Sequence, residues 1–388
     1  MAFDKLVNPE QSPFFNWSKP FVQLETTRGC FNTCAFCVSG GEKPVRTLSV
    51  EAIRERVRLI HEKGIRNIRV LDRTFNYQSH RAKALFDLFR EFPDMRFHLE
   101  IHPALLSEEL KKELASMPKG LLHLEAGIQS LHEEVLTVSR RAGKLADALE
   151  GLRYLCALDN METHADLIAG LPLYHLSQIF DDVRTLAEYR AGEIQLESLK
   201  LLPGTEMRRR AEELGICYSP LPPYEVLQTR EITPDELQTA RQLSRLLDGF
   251  YNAPAWQEIT RRLIVEEPGF LTRFLDHLIQ IGVIDQPMGL ERRGILLYHF
   301  CKEHYPHFLT AMSRAWIEAG MSLKKEPAER VRTKHVTPPE AWTVCTGTYR
   351  DDLRLCKLPA PEEGRCYWYG FETESQQLRP VFAAVSQE

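Results

Sequence analysis

The chain has 388 residues, 43% of them apolar and 27% charged, the profile of an ordinary folded globular protein. A net charge of −5 gives no basic footprint for nucleic acid or anionic membrane, and no apolar run reaches the roughly 18 residues that would span a bilayer. The opening Met-Ala-Phe-Asp-Lys lacks a secretory apolar core, and nine cysteines without a disulfide pattern fit a reducing, cytoplasmic setting.

Residues 1–19 read as an N-terminal extension. From residue 20 to about 205, strand-like apolar runs alternate with helical patterns, which predicts parallel β/α units. The strands are expected at 21–26, 68–71, 96–101, 121–126, 163–168 and 194–199. Helices are expected at 50–63, 79–91, 108–117, 133–138, 145–158 and 177–189. Ser107, placed before two glutamates and a leucine, is a natural N-cap. Six such repeats predict an α/β fold, a partial (β/α)6 TIM-like barrel over residues 20–215. Catalytic groups then belong at the carboxyl ends of its strands.

Past Pro203-Gly204-Thr205 the character changes. Arg208-Arg209-Arg210, followed by Glu212 and Glu213, reads as a solvated helix face. Leu221-Pro-Pro-Tyr224 reads as a linker or lid loop. Thr233-Pro234-Asp235-Glu236 opens a helix with an N-cap, a proline at the first position and acids in the first turn. Further helical patterns at 256–265, 271–281 and 292–319 make residues 216–335 a helical C-terminal region. Residues 336–388, with Pro338-Pro339, Ala360-Pro361 and an alternating stretch from Cys366, read as a small β-rich tail.

The chemistry is carried by the loop after the first strand, where Cys30, Cys34 and Cys37 stand in a Cys-x3-Cys-x2-Cys arrangement. Extended, the segment would span roughly 23 Å, so it must curl to bring three sulfurs to one centre, and Gly29 permits that at its entrance. Three thiolates on a 4Fe–4S cube leave one iron open to an exogenous ligand. An open position marks a catalytic metal centre. A zinc knuckle or buried free thiols are the alternatives, although zinc sites usually recruit a second Cys or His pair.

Cys-x3-Cys-x2-Cys with an aromatic before the last cysteine resembles the radical S-adenosylmethionine (radical SAM) superfamily. The resemblance implies a 4Fe–4S cluster on Cys30, Cys34 and Cys37, SAM chelated by the open iron, and Phe36 beside adenine. It also implies reductive SAM cleavage to a 5′-deoxyadenosyl radical, hydrogen abstraction from a small organic substrate, an electron donor of flavodoxin or ferredoxin type, and sensitivity to oxygen.

Four further segments resemble a subgroup of oxygen-independent coproporphyrinogen oxidases and cobalamin-type enzymes. Glu100 in His-Leu-Glu-Ile-His-Pro, Gln129 in Gly-Ile-Gln-Ser, Arg140 in Val-Ser-Arg and Asp166 in His-Ala-Asp-Leu-Ile-Ala-Gly-Leu-Pro match positions that hold SAM. Arg141 competes with Arg140 for the carboxylate role, to which a planar guanidinium is suited. His164 is a candidate proton donor, with a satisfied core histidine as the alternative. Thr74, in Asp-Arg-Thr-Phe-Asn, falls in the turn expected near the SAM amino group.

The match to the cobalamin type is incomplete. Only 29 residues precede Cys30, and none of the 13 histidines has an aspartate two places before it. Cobalamin bound in cis is therefore not expected. A methylase using corrin supplied in trans, and a haem or cluster carrier, remain open. Cys345, Cys356 and Cys366 are open between a second cluster, a redox pair and structural thiols.

Overall fold

A computed structural model describes residues 7–334, 343–347, 350, 353–360, 364–372 and 380–387. The chain divides into two compact units, Met1–Ser244 and Arg245–Glu388.

The first unit is built on a six-stranded sheet whose spatial order is the chain order. Its strands are β1 (Val22–Leu24), β2 (Asn67–Val70), β3 (Arg96–Ile101), β4 (Leu122–Gln129), β5 (Glu162–Ala169) and β6 (Glu193–Ser198), each parallel to the next. Parallel neighbours need a crossover, supplied here by α1 (Val50–Glu62), α2 (Ser79–Arg90), α3 (Glu108–Ala115), α4 (Glu133–Val138), α5 (Leu145–Cys156) and α6 (Leu176–Glu188). This is the expected partial (β/α)6 TIM-like barrel, with element ends shifted by at most three residues. Ser107 caps α3 as expected, accepting from the Leu110 amide at 3.3 Å.

Period-two alternation decides what each face of the sheet does. On β4, Leu122, Leu124, Ala126 and Ile128 are buried, while His123, Glu125, Gly127 and Gln129 are only half-buried. The apolar face joins Ile53, Val57 and Ile60 of α1 and Leu85, Phe86 and Phe89 of α2 in one core. Each such side chain contributes about 1.5–3 kcal/mol on burial. The opposite face carries the charged residues of β3, β4, β5 and β6.

After β6 the chain folds back on the same unit. Cys217–Tyr218 pairs with Val226–Gln228, the Leu201 amide donates to Tyr224 O at 2.8 Å, and the Val226 amide donates to Leu199 O at 3.0 Å. Those bonds tie residues 217–228 to the end of β6, so residues 216–244 belong with the barrel, although the sequence suggests a boundary at 216. Arg208 is not simply a solvated charge: its guanidinium lies 5.0 Å from the Tyr218 ring and 4.8 Å from the Tyr224 ring. The predicted helix start at Thr233 forms as a reciprocal cap, with the Thr233 amide donating to Glu236 Oε2 at 2.8 Å and the Glu236 amide to Thr233 Oγ1 at 3.3 Å.

The second unit carries helices Gln257–Glu266, Phe270–Gln280, Leu290–His304 and Leu309–Glu318. The pattern expected as one helix over 292–319 breaks at Pro306, which has no amide hydrogen to continue it and heads a short 3-10 turn. A five-stranded antiparallel sheet forms the expected β-rich tail. Cys356 packs with Ile317, Leu358 and Tyr369 on one face, and Cys366 with Leu355 and Trp368 on the other. The sheet therefore separates these two thiols, which cannot share a cluster. The Tyr367-Trp368-Tyr369 trio packs in this strand. Pro338-Pro339, Pro361 and the Cys345 side chain lie outside the described residues.

Candidate active site

The cysteine loop leaves the short strand Thr27–Arg28, which pairs with Arg46–Thr47 and closes the loop at its base. Gly29 sits at φ +94°, and a Cβ there would lie 2.5 Å from Glu42 O, so both its torsion and its space require glycine. Within the loop the Cys37 amide donates to Cys34 O at 3.1 Å, and the Gly40 amide to Cys37 O at 3.1 Å. These turns curl the chain as the spacing requires. Asn32, within the loop, ties it to its surroundings: its buried side chain accepts at Oδ1 from the Ala142 amide at 3.0 Å. The Ala35 amide donates to Ser139 O at 2.8 Å. The loop is thus anchored to the turn that follows α4.

Cys30 and Cys34 are 8% and 7% exposed, and Cys37 is half-buried. Burial pushes the Cys34 thiol up; Arg141 opposes that rise, and the neighbouring Cys37 and Cys30 add to it. Cys34 therefore lies in the field of the other two sulfurs. Arg141 Nη1 is 3.9 Å from Cys34 Sγ, and its Nη2 donates to Gly127 O. Two buried thiols and a half-buried third on one curled loop, with a cation held beside Cys34, fit a 4Fe–4S cluster, whose thiolates carry negative charge.

The other predicted residues divide. Thr74 lies beside the loop, its Oγ1 3.8 Å from Cys30 Sγ. Phe36 is half-buried within the loop. Gln129 ends β4 at a bulge with φ +73°, and its Nε2 is within 2.6 Å of where a Gly127 Cβ would stand. Asp166 is the register partner of Gly127, and Glu100 that of Glu125. Arg140 faces elsewhere: it is half-exposed and paired with Glu206. Of the two adjacent arginines, only Arg141 reaches the loop. Asp72, in the same turn as Thr74, is buried and accepts from the Thr26 and Thr27 amides at 2.8 Å each, stapling the end of β2 to the end of β1.

Three consecutive strands present a histidine and an acid on the charged face: His98 and Glu100, His123 and Glu125, His164 and Asp166. His98 Nε2 is 2.8 Å from Glu125 Oε2. Burial and the nearby Glu125 charge push Glu100 up to about 7, with Arg73 at 3.7 Å opposing. Burial likewise raises Asp166 to about 6, against the pull of His164. Burial lowers His164, but Asp166 outweighs it and holds the imidazole above its ordinary value. Protons are therefore available along this face near neutral pH. His102, at the end of β3, is kept neutral by burial, its pKa lowered to about 3. Its Nε2 lies 3.0 Å from Ala142 O, and its buried Nδ1 has no partner among the described residues.

From the sequence, Arg141 stands only as a competitor of Arg140, and neither His102 nor the repetition of the His-x-acid spacing on three strands marks a site residue. The series was visible as a repeated dipeptide spacing, but alternating charge on a strand reads equally as a solvated face.

Known proteins resemble the chain in the same region. A family model described as the Radical SAM superfamily matches residues 24–186, and a second, a protein of unknown function (DUF4080), matches residues 212–308. A tRNA-2-methylthio-N(6)-dimethylallyladenosine synthase of Herpetosiphon aurantiacus is 27% identical over 213 residues, covering 50% of this chain and 47% of that protein. The ribosomal protein uS12 methylthiotransferase RimO of Prochlorococcus marinus is 27% identical over 178 residues, covering 43% and 41%. The radical S-adenosylmethionine methyltransferase TsrM of Kitasatospora setae superposes with a TM-score of 0.46 at 17% identity, over 56% of this chain and 43% of that one. The chain spans less than half the length of the two curated relatives. No helix among the described residues is long and apolar enough to cross a membrane.

Proposed function

We propose that this chain, whose residues 24–186 are a radical SAM domain, abstracts hydrogen from a polar organic substrate held on the charged face of its sheet. The chain is an enzyme of the radical SAM superfamily, a family whose cofactors are a 4Fe–4S cluster and SAM. When bound, those cofactors supply a 5′-deoxyadenosyl radical. The residues of the chain bind, orient and shield.

Cys30, Cys34 and Cys37 would hold three irons, and Arg141 would offset the thiolate charge. Phe36, Thr74, Glu100, Gln129 and Asp166 would contact SAM around the ends of β1 to β5. Arg140 is the weakest member of the set because it is committed to Glu206. The substrate is proposed to be polar because the sheet face toward the carboxyl ends of the strands carries Glu100, Glu125 and Asp166 rather than an apolar lining.

The single observation that carries this reading is the curled three-cysteine loop, with Cys30 and Cys34 buried and Arg141 against Cys34. The reading is tested by anaerobic reconstitution, followed by SAM and a strong reductant. Formation of 5′-deoxyadenosine by the native chain, and none by Cys34→Ala, is the expected result. Equal product from both would refute the ligand assignment.

A second reading follows from the names of the curated relatives, methylthio transfer to tRNA or a ribosomal protein. A methylthio group appearing on either acceptor after incubation would favour it over simple hydrogen abstraction.

A further inference from the structure

We propose that His123, His164 and Glu193 form a second metal site, for a divalent ion of the zinc class, at the amino-terminal end of β4, β5 and β6. The three side chains each offer one ligand atom, and these atoms lie within 4.8 Å of one another. His123 is the second residue of β4, His164 the third of β5 and Glu193 the first of β6. Register pairs His164 with Glu193 directly, and the His123 and His164 rings are 6.1 Å apart. An ion with bonds of about 2.1 Å would draw its ligands to roughly 3.4 Å from one another, a change that side-chain rotation can supply.

A second observation points to a ligand. His164 is 4% exposed, and its buried Nε2 makes no aligned hydrogen bond among the described residues. Asp166 Oδ1 approaches it to 2.9 Å without hydrogen-bond alignment and is itself unsatisfied. Buried polar atoms are rarely left so. All three ligands line one cavity of about 520 Å³, with His98, Glu125 and Arg96 also in its wall. Two imidazoles and one carboxylate facing open space make the donor set of a site with free coordination positions, suited to hold an oxygen or nitrogen of a bound molecule.

The site is separate from the cysteine loop. Along β4, His123 lies four residues before Gly127, whose carbonyl Arg141 holds, which is roughly 13 Å of strand. One contact competes with the ion: Arg96 Nη2 stands 3.0 Å from His123 Nδ1. That guanidinium is 42% exposed and shared with Glu162 at 2.5 Å, so it has a place to go when His123 turns to an ion.

The test uses the anaerobically reconstituted full chain, incubated with zinc chloride, desalted, and assayed for zinc and iron together. The native chain is expected to retain about one zinc, and Glu193→Gln and His164→Gln to retain at least tenfold less with iron unchanged. Arg96→Met is expected to retain zinc at least as tightly as the native chain. No retained zinc, or retention unaffected by Glu193→Gln and His164→Gln, would overturn the site. Loss of zinc and iron together would overturn its independence from the cysteine loop. Because iron is counted in the same sample, failure of this site is distinguishable from failure of the cluster assignment.

Discussion

Two adjacent arginines illustrate what residue identity leaves undecided. Arg140 and Arg141 have the same chemistry, and the sequence match favours Arg140, with Arg141 as its competitor. Arg140 takes φ +54° and pairs outward with Glu206, while Arg141 turns inward to Cys34 and Gly127. Removing a charge that faces the thiolates should therefore matter, and removing the outer one should not. Arg141→Met is expected to lose iron at least about threefold faster under anaerobic chelation than the native chain, and Arg140→Met at the native rate. Equal rates for the two variants would contradict the placement. Glu100 makes a pH-dependent case at the same scale. Its folded pKa of about 7 lies above the ordinary value of 4.5, so the folded state prefers the neutral acid. The associated stability is complete below about pH 4.5 and is lost as pH rises through 7. The carboxylate is 31% exposed, which reduces the cost of ionisation from a ceiling near 3 kcal/mol to about 1–2 kcal/mol. Glu100→Gln should melt at the native temperature near pH 4 and a few degrees higher at pH 8. A higher melting temperature at pH 4 and none at pH 8 would reverse the assignment.

At the level of elements, what was local was legible. All six strands and six crossover helices follow from period and caps, and Ser107 and Thr233 cap as their sequence positions imply. The break at Pro306 was equally local and is explained by its missing amide hydrogen. What was not legible depends on contacts distant in sequence, such as the return of residues 217–228 onto the end of β6. Gly151 belongs to the same class. In the middle of α5 it looks like a weak point, since alanine is preferred in a helix by up to about 1 kcal/mol. In the fold its Cα faces the Pro103 backbone carbonyl, and an added methyl would overlap that oxygen. A backbone atom cannot rotate away, so overlap should win over propensity. Gly151→Ala is expected to destabilise the chain by about 1–3 kcal/mol in denaturant melts; a stabilised variant would show that α5 shifts freely.

For the molecule as a whole, the cluster-bearing loop was the most legible feature, because three cysteines on one short segment need no tertiary information. The histidines and acids of β3, β4 and β5 were the least legible. Their alternation is in the sequence, but only the packing of the fold turns that face from solvent-like to half-buried, raising Glu100 and Asp166 and setting Asp166 beside His164. The account rests on one claim about that assembly: the protein supplies three thiolates and leaves the fourth iron for SAM. Mössbauer spectroscopy of the iron-57 reconstituted chain, with and without SAM, tests it directly. The account predicts that one iron in four changes its signal on SAM addition while three do not. A spectrum unchanged by SAM, with all four irons already ligated by side chains, would contradict it.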